Sequence, residues 1–254
     1  MNTSELSFTP PNETNNQANR PGRCATQQLS NFLSETTLFA NLDAATISEV
    51  AAALVRRRYQ ARETIFYQGD PGTVLYMIYS GQVRIFVSGL DGAETSLVLL
   101  GQPGEIFGDF AVIDGLPRSA SAVAMLDTVV FTLSREAFQR IVLRAPQVAI
   151  NFMATLSQRL RYSTSQLDSL ATLDISTRLA GKLLELAGSY GAPVQDGHRI
   201  NMSINQSEIA SLIGATREST NKLLRVFRRQ GILRLKGGQI IILDMAALRR
   251  AAQG

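Results

Sequence analysis

Short apolar runs alternate with glycine-containing turns between residues 63 and 133. The runs are rich in Val, Ile, Tyr and Phe, as in "VLYMIYSG", "QVRIFVSG" and "TVVFTL". Many strands of about five residues, separated by turn signals every 8 to 12 residues, are typical of an antiparallel sandwich or barrel. The pattern therefore predicts an antiparallel β domain, and the mouth of such a barrel is a common place for a small ligand.

The residues before this region divide into two parts. The first, 1–29, is rich in Asn, Thr, Pro and Gln and has little to bury, so it is predicted to be a disordered tail. From Asn31 to Tyr59, apolar residues recur at helical spacing in short pieces. This second part is predicted to form small packing helices.

A long amphipathic helix is predicted over residues 146–173. Its apolar stripe alternates steps of four and three residues, the spacing of a coiled-coil seam, and such a stripe favours pairing with a second copy. One seam position, Ser163, carries a hydroxyl and is followed by Thr164. Ser163 either sets the register of the helix pair or is tolerated at a partly wet helix end. The seam consists of Ala149, Met153, Leu156, Leu160, Ser163, Leu167 and Leu170.

Residues 174–254 contain the spacing of a helix-turn-helix. Two helices with apolar faces meet at Gly214, and Thr216 is suited to cap the second. After them, "GILRLKGGQIIIL" alternates about a Gly237-Gly238 turn, as a β-hairpin wing does. The alternative is an ordinary helical hairpin with a charged, solvated face.

The second of these helices begins with donors and acceptors suited to DNA. Arg217 fits bidentate recognition of guanine, and Glu218 can accept from N4 of cytosine. The polar residues before the first helix are better suited to positioning the duplex through its phosphates. The predicted DNA-binding residues are Ser203, Asn205, Gln206, Thr216, Arg217, Glu218, Ser219, Asn221 and Lys222.

The net charge of +4 is unevenly distributed. Residues 201–254 hold nine basic and three acidic residues, a net +6, which leaves −2 for the rest of the chain. Clustered Lys and Arg favour a polyanionic partner through phosphate neutralisation and counterion release. The charge therefore favours the DNA-binding interpretation over the solvated hairpin.

Composition argues against metal and redox chemistry. The chain has one cysteine, Cys24, and one histidine, His198, so we expect no internal disulfide, no iron–sulfur cluster and no metal site. His198 is predicted to be a solvated loop residue. No stretch approaches the roughly 20 apolar residues of a membrane span, and the N-terminus lacks the layout of a signal peptide. We expect a cytoplasmic protein without a membrane partner.

In the order of its segments the chain resembles a transcription regulator of the Crp/Fnr family, over about residues 30–245. The stretch "FGDFAVIDGLPRSASA" is similar to the phosphate-binding cassette of cyclic-nucleotide domains, and "RESTNK" is similar to the family's recognition helix. The resemblance implies an α+β fold. Its parts are an antiparallel β-roll of the jelly-roll type over 30–145, a dimerisation helix over 146–173 and a winged helix-turn-helix over 174–254.

The resemblance also assigns roles in a cyclic-nucleotide site. A short helix after Gly108 points its N-terminus at the cyclic phosphate, Arg118 clamps that phosphate, and the next two residues complete the cradle. Ser163 and Thr164 fall where the family's dimer helix reaches the adenine. The implied ligand-binding residues are Phe107, Gly108, Asp109, Phe110, Arg118, Ser119, Ala120, Ser163 and Thr164.

One position departs from the family's pattern. The usual Gly-Glu-Leu is here Gly108-Asp109-Phe110, and the acid of this motif normally accepts from the ribose 2′-hydroxyl. Because aspartate is one methylene shorter, we expect the ribose contact to be lengthened, water-bridged or absent. A missing contact in a buried polar site weakens binding by about 1 to 3 kcal/mol. The alternative for Arg118 is a structural ion pair with Asp109 or Asp114 in an empty roll.

The sequence therefore predicts a homodimeric transcription regulator that binds a two-fold-symmetric DNA operator under the control of cyclic AMP and contacts RNA polymerase. A second hypothesis keeps the DNA-binding domain but gives the roll a different ligand or none. A third is a cyclic-nucleotide-regulated enzyme. The chain lacks a phosphate loop with lysine and a nucleophile–base–acid constellation, so we expect no enzymatic activity.

Overall fold

The fold is α+β, as predicted, with a β-roll, a long helix and a C-terminal domain that combines helices with a small sheet. The computed structural model describes residues 23–89, 92, 94–236 and 239–253. Residues 1–22 of the predicted tail and the predicted Gly237-Gly238 turn lie outside the described residues.

The described part of the roll contains short strands arranged in two antiparallel sheets. The strands are β1 (Val55–Tyr59), β2 (Thr64–Phe66), β3 (Val74–Ser80), β4 (Val83–Ser88), β5 (Glu94–Leu100), β6 (Ile106–Phe107), β7 (Ser121–Ala124) and β8 (Thr128–Ser134). One sheet has the order β1-β8-β3-β6 and the other β2-β7-β4-β5. Their shared core buries Phe66, Tyr76, Ile78, Phe107 and Val130, so one of the predicted ligand-binding residues, Phe107, is part of this apolar interior.

The N-terminal helices pack against the roll, and they begin earlier than the sequence predicts. The prediction of a disordered tail is wrong for residues 23–29, which are helical. Leu29 and Leu33, one turn apart, are buried in a cluster with Phe131 of the roll, so tertiary burial outweighs the polar composition of this segment. The elements are α1 (Arg23–Glu35), a 3₁₀ turn (Thr37–Phe39) and α2 (Ala44–Ala53).

The predicted helical region ends before Tyr59. Residues 55–59 form β1, which pairs with β8 from Val55 opposite Thr132 to Tyr59 opposite Thr128. The helical interpretation of this stretch is therefore wrong. The backbone hydrogen bonds of β1 come from a strand whose residues lie 69 to 77 positions later in the chain, and local spacing cannot reveal such pairing.

The long helix follows the roll at the predicted place. A short helix, α4 (Arg135–Arg144), leads into α5 (Gln147–Thr172), whose 26 residues span about 39 Å. The first turns of α5 pack on α4 and on the roll, since the ring of Phe152 meets that of Phe138 on α4 edge to face at 5.8 Å and is buried in a cluster with Phe131 of β8. Farther along, the seam residues Leu160 and Leu167 are each 69% exposed.

The C-terminal domain contains the predicted helix-turn-helix and hairpin. Its elements are α6 (Ile175–Tyr190), β9 (Gly191–Val194), β10 (Gly197–Ile200), α7 (Gln206–Leu212), α8 (Arg217–Arg229), β11 (Leu233–Lys236), β12 (Gln239–Ile242) and α9 (Met245–Ala251). The strands form one sheet of order β11-β12-β10-β9. His198 is exposed, as predicted, but lies on β10 rather than in a loop. Within the described ranges, no helix has both the length and the apolar character needed to span a membrane.

Candidate functional site

The short helix α3 (Asp109–Asp114), between β6 and β7, begins at a glycine that the packing requires. Gly108 is its N-cap and adopts the left-handed conformation, with φ of +68°. A Cβ at this position would lie 2.6 Å from Nη1 of Arg118 and 3.1 Å from Cδ2 of Tyr76. A larger residue would therefore displace the guanidinium group. The turn directs Asp109 into the protein, where it is 5% exposed.

Arg118 is held rigidly beside α3. Its Nη1 donates to the carbonyl of Gly108 at 2.5 Å, and its Nη2 donates to the carbonyl of Val74 at 2.9 Å. The guanidinium carbon lies 4.3 Å from the ring centroid of Phe66 and 5.5 Å from that of Tyr76. These contacts fix the plane of the guanidinium group and leave Nε as its one nitrogen without an acceptor among the described residues.

One nitrogen of this buried guanidinium group lacks an acceptor in the described part of the folded chain. The Nε of Arg118 is buried and has no hydrogen-bond partner among the described residues. Burial lowers the pKa of Arg118, because the charged form loses hydration. A buried N–H without an acceptor costs free energy that an anion in the cavity would recover. The side chain therefore fits a phosphate oxygen.

Asp109 is paired with a cation that the sequence analysis did not single out. Nη1 of Arg159, on α5, lies 2.8 Å from Oδ2 of Asp109, and Nη2 of the same side chain donates to the carbonyl of Ile106. Within the described ranges Arg118 forms no ion pair with Asp109 or Asp114. The alternative in which Arg118 pairs with one of these acids is therefore wrong, and Arg159 takes that role.

One cavity brings most of the predicted ligand-binding residues together. It has a volume of about 280 Å³ and lies between the roll, α3 and α5. Thr164 does not line it, and the hydroxyl of Thr164 donates instead to the carbonyl of Leu160 at 3.0 Å. The predicted residues that line the cavity are Phe107, Gly108, Asp109, Phe110, Arg118, Ser119, Ala120 and Ser163.

The helix-turn-helix is specified by its caps and by its turn. The side chain of Asn205 accepts from the backbone N–H of Glu208 at 3.0 Å, and Glu208 accepts in return from the N–H of Asn205 at 2.7 Å. Gly214, in the turn between α7 and α8, has φ of +59°. Thr216 then caps α8 by accepting from the N–H of Ser219 at 3.1 Å. These reciprocal bonds fix where each helix starts.

The outer face of α8 is polar and mostly exposed. Leu224 and Phe227 are buried against the domain, whereas Arg217, Glu218 and Lys222 are exposed. Asn221 is half-buried, and its Oδ1 has no hydrogen-bond partner among the described residues. One shallow depression is lined by Arg217, Glu218, Asn221, Lys222 and Arg225. Arg225 was not in the predicted set, although its position one turn after Asn221 and Lys222 indicates the same face.

The predicted residues near the start of α7 have different surroundings. Asn205 and Gln206 line one groove together with Arg217 of α8 and Gln239 of the hairpin. Ser203 is exposed, but its backbone is already engaged by the roll. The amide of Gln82 donates from Nε2 to the carbonyl of Ser203 at 2.6 Å and accepts through Oε1 from its N–H at 2.8 Å. The structure therefore groups Asn205 and Gln206 with α8 and separates Ser203 from them.

The described residues contain no cluster of three or more His, Cys, Asp or Glu side chains that could hold a metal ion. Apart from the carboxylates of Asp109 and Glu218 and the ammonium of Lys222, the polar groups of the two candidate sites are guanidinium, hydroxyl and amide groups. These groups bind phosphates and base edges rather than metal ions.

Two protein families match separate parts of the chain. The cyclic nucleotide-binding domain family matches residues 56–145, which include the roll strands and α3. The Crp-like helix-turn-helix domain family matches residues 177–251, which include α7, α8 and the hairpin. The first match contains the cavity residues of the roll and α3 but not those of α5, and the second contains the polar face of α8.

Similar proteins cover most of the chain. The cyclic AMP receptor protein of Thermus thermophilus is 39% identical over 199 residues, 78% of this chain and 88% of the relative. A CRP-like cAMP-activated global transcriptional regulator of Mycobacterium tuberculosis is 31% identical over 225 residues, 89% of this chain and 100% of the relative. The solved structure of the c-di-GMP responsive global regulator CLP of Xanthomonas campestris has a TM-score of 0.68 at 27% identity, and covers 80% of this chain and 100% of CLP.

Proposed function

Because the chain belongs to the Crp/Fnr family of DNA-binding transcription regulators, we propose that it is a homodimer whose affinity for a two-fold-symmetric operator is set by cyclic AMP. The family and the fold class predicted from the sequence are both confirmed. The relatives are transcription regulators rather than enzymes. The effector, the dimer and the roles of single residues are the content of the proposal.

The buried, unpartnered Nε of Arg118 is the observation that carries the choice of a nucleotide. This donor needs an acceptor, and the cyclic phosphate is an anion that supplies one. A Cβ on Gly72 would lie 2.1 Å from Cβ of Ala111 and 3.1 Å from Nε of Arg118. Because a Cβ at Gly72 or Gly108 would collide with its neighbours, the backbone packs closely around the guanidinium group of Arg118. We assign Arg118, Ser119 and the backbone of Ala120 to the phosphate, and Ser163 to the base.

The size of the cavity favours a cyclic mononucleotide. Its volume of about 280 Å³ lies just below the range of roughly 300 to 1,000 Å³ for small-molecule sites. A cyclic dinucleotide contains two nucleotides and needs more room. The Thermus and Mycobacterium relatives are named for cyclic AMP, whereas CLP is described as responsive to c-di-GMP. Cyclic AMP is therefore the first candidate and c-di-GMP the second.

The Arg159–Asp109 pair changes the expectation for the ribose. The sequence predicts a lengthened or absent contact because aspartate is short. Asp109 instead accepts from Arg159 at 2.8 Å, so we propose that the ribose meets an ion pair rather than a free carboxylate. An acceptor already used in this way gains less from a hydroxyl than a free carboxylate does. We expect cyclic AMP to bind more weakly than it would with glutamate at this position.

The exposed seam of α5 supports the homodimer. Met153, Leu160 and Leu167 are 56%, 69% and 69% exposed, and they follow a coiled-coil spacing. A nucleotide that touches the roll and Ser163 would favour one register of the paired helices, and the register sets the spacing of the two α8 helices. We further propose contact with RNA polymerase at the promoter. We also propose a cytoplasmic location, because the proposed partner, DNA, lies in the cytoplasm of a bacterial cell.

Isothermal titration calorimetry with cyclic AMP tests the proposed effector. Arg118→Ala should raise the Kd by at least about tenfold, because a hydrogen bond to a charged group contributes about 1.5 to 3 kcal/mol. Arg234→Ala is the matched control. It removes an exposed ion pair with Asp196, 3.0 Å away on the C-terminal domain, and should leave the Kd unchanged.

Three outcomes would change the proposal. Equal binding of cyclic AMP by the wild type and by Arg118→Ala would contradict the assigned role of Arg118. Binding of c-di-GMP in preference to cyclic AMP would move the second candidate to first place. Operator affinity that no added nucleotide alters would favour a roll that acts as a ligand-free scaffold.

A further inference from the structure

Three side chains form a bridge between α5 and α6, which we call the α5–α6 bridge: Tyr162, Lys182 and Glu185. The ammonium of Lys182 lies 2.7 Å from Oε2 of Glu185 and also donates to the hydroxyl of Tyr162. That hydroxyl donates to Oε1 of Glu185 at 3.1 Å, and the ammonium lies 5.0 Å from the centroid of the tyrosine ring. Each member of the bridge therefore contacts both others.

The α5 end of the bridge lies at the nucleotide cavity. Tyr162 lines that cavity, directly before Ser163 and one turn after Arg159, which holds Asp109. Tyr162 also lines a second cavity of about 600 Å³, between the roll, α5 and α6, whose walls include Lys182 and Glu185. Tyr162 is thus the side chain through which the nucleotide site adjoins the bridge.

The α6 end of the bridge is fixed to the DNA-binding domain. Leu179 and Leu183, on either side of Lys182, are fully buried in a cluster with Leu224 and Phe227 of α8. At the junction of α5 and α6, Arg178 donates through Nε to the carbonyl of Ile213, 2.9 Å away beside the turn that leads into α8. A displacement of α6 relative to α5 therefore displaces α8 as well.

The burial of Lys182 makes the bridge resistant to opening. The residue is 4% exposed, so its ammonium cannot exchange its protein partners for water while α6 stays in place. Separation of the ammonium from both Tyr162 and Glu185 would leave a buried charge without a partner, which is strongly unfavourable. A movement of Tyr162 therefore either carries α6 with it or is opposed by the contacts of the Lys182 ammonium.

We propose that the α5–α6 bridge transmits nucleotide occupancy from α5 to the recognition helix α8. This inference rests on the proposed control by a nucleotide and adds the residues that carry it. Lys182 and Glu185 act as positioning residues, since neither lines the nucleotide cavity. Their contribution is to keep the angle between α5 and α6 coupled to the position of Tyr162.

The coupling is measured with the full-length protein and an operator selected from random duplex DNA. The readout is the ratio of operator affinities with and without saturating cyclic AMP, beside the calorimetric Kd for cyclic AMP. Lys182→Met and Glu185→Gln should each lower this ratio by about tenfold, within the usual range of allosteric coupling, and leave the Kd for cyclic AMP unchanged. The control is Glu49→Gln, which breaks a surface ion pair with Arg144 at 2.8 Å and should change neither quantity.

A ratio that equals that of the wild type in both variants would overturn the bridge as the transmitting element. So would a wild type that binds cyclic AMP without any change in operator affinity. If the wild type binds no cyclic AMP, the proposed effector is wrong. Hydrogen exchange in the ligand-free protein then tests whether the bridge holds α6 against α5. The amides of residues 175–190 should exchange faster in both variants than in the wild type and Glu49→Gln, and equal rates would refute the bridge.

Discussion

Arg118 shows how the fold can fix a single side chain at a proposed anion site. Two backbone carbonyls and two aromatic rings hold its guanidinium group, which leaves only Nε without a partner among the described residues. Most of the entropy cost of ordering a long side chain is therefore met in the folded protein before a ligand arrives. The glycine at position 108 makes this arrangement sterically feasible.

Gly108→Ala tests that steric argument. Alanine at φ of +68°, with its Cβ 2.6 Å from Nη1 of Arg118, should lower the free energy of unfolding by about 1 to 3 kcal/mol. Urea denaturation measures the change. Gly181→Ala is the matched control with the opposite sign, because Gly181 lies within α6 and a Cβ there meets nothing within 4 Å. It should raise stability by about 0.5 to 1 kcal/mol, and a loss at Gly181 or a gain at Gly108 would contradict the argument.

The residues of the proposed nucleotide site come from a motif in the sequence, whereas the ion pair between Asp109 and Arg159 does not. The motif places Gly108, Asp109 and Arg118 close together because they lie within eleven positions of the chain. Arg159 lies 50 positions after Asp109. Its role depends on the packing of α5 against the roll, and no local pattern encodes that packing. A weak signal was present, since Arg159 lies one helical turn before Ser163 on the same helix.

At the scale of elements, α5 shows which patterns the sequence reveals most clearly. Its seam repeats over six steps, and the helix is found within one residue of the predicted bounds. The helix-turn-helix is equally clear because its caps and its glycine occupy fixed positions. The start of α1 and the strand β1 were mispredicted, since both are stabilised by burial or pairing with distant parts of the roll. A long repeat can be recognised from the sequence alone, whereas the structure of a short element is set by the distant residues that pack against it.

A double substitution in the seam tests the proposed pairing of α5. Leu160→Asp with Leu167→Asp removes two exposed leucines from each copy and places carboxylates opposite one another. The loss of about 1.5 to 3 kcal/mol for each leucine side chain should raise the dimer dissociation constant by about 100-fold or more. Sedimentation velocity measures the change.

The control for the seam is a leucine that is exposed elsewhere. Leu143 on α4 is 83% exposed and lies outside the seam spacing, so Leu143→Asp should leave the oligomeric state unchanged. A wild type that is monomeric with and without cyclic AMP would contradict the homodimer itself. A double variant that remains fully dimeric would place the interface on another surface.

At the scale of the whole molecule, specific hydrogen bonds dock the DNA-binding domain on the roll. Gln82, 2% exposed, bonds both backbone groups of Ser203, and the N–H of Ser96 donates to the hydroxyl of Ser211 at 2.6 Å. The hydroxyl of Tyr190 donates to the carbonyl of Leu99 at 3.2 Å. Contacts of this kind define one orientation of the domain, because each requires particular donors and acceptors to be aligned.

Gln82→Leu tests whether this docking depends on the glutamine amide. The substitution keeps a similar volume but leaves the N–H and carbonyl of Ser203 without partners, at a cost of about 1 to 3 kcal/mol. Hydrogen exchange of residues 201–205 should become about tenfold faster or more in the full-length protein. Gln68→Leu, at an exposed position on the roll, should not alter that exchange. Equal exchange in Gln82→Leu and the wild type would show that other contacts hold the domain.

Ser163 occupies a seam position and also lines the nucleotide cavity. Under the proposed function, this one side chain contributes both to the choice of effector and to the pairing of two α5 helices. A substitution of Ser163 that changes the specificity for the base should also change the dissociation constant of the dimer. A substitution of Ser163 that strengthens the dimer should restrict which bases the cavity accepts. Because one side chain serves both purposes, an evolutionary change in effector specificity should be accompanied by compensating substitutions at other positions of the α5 seam.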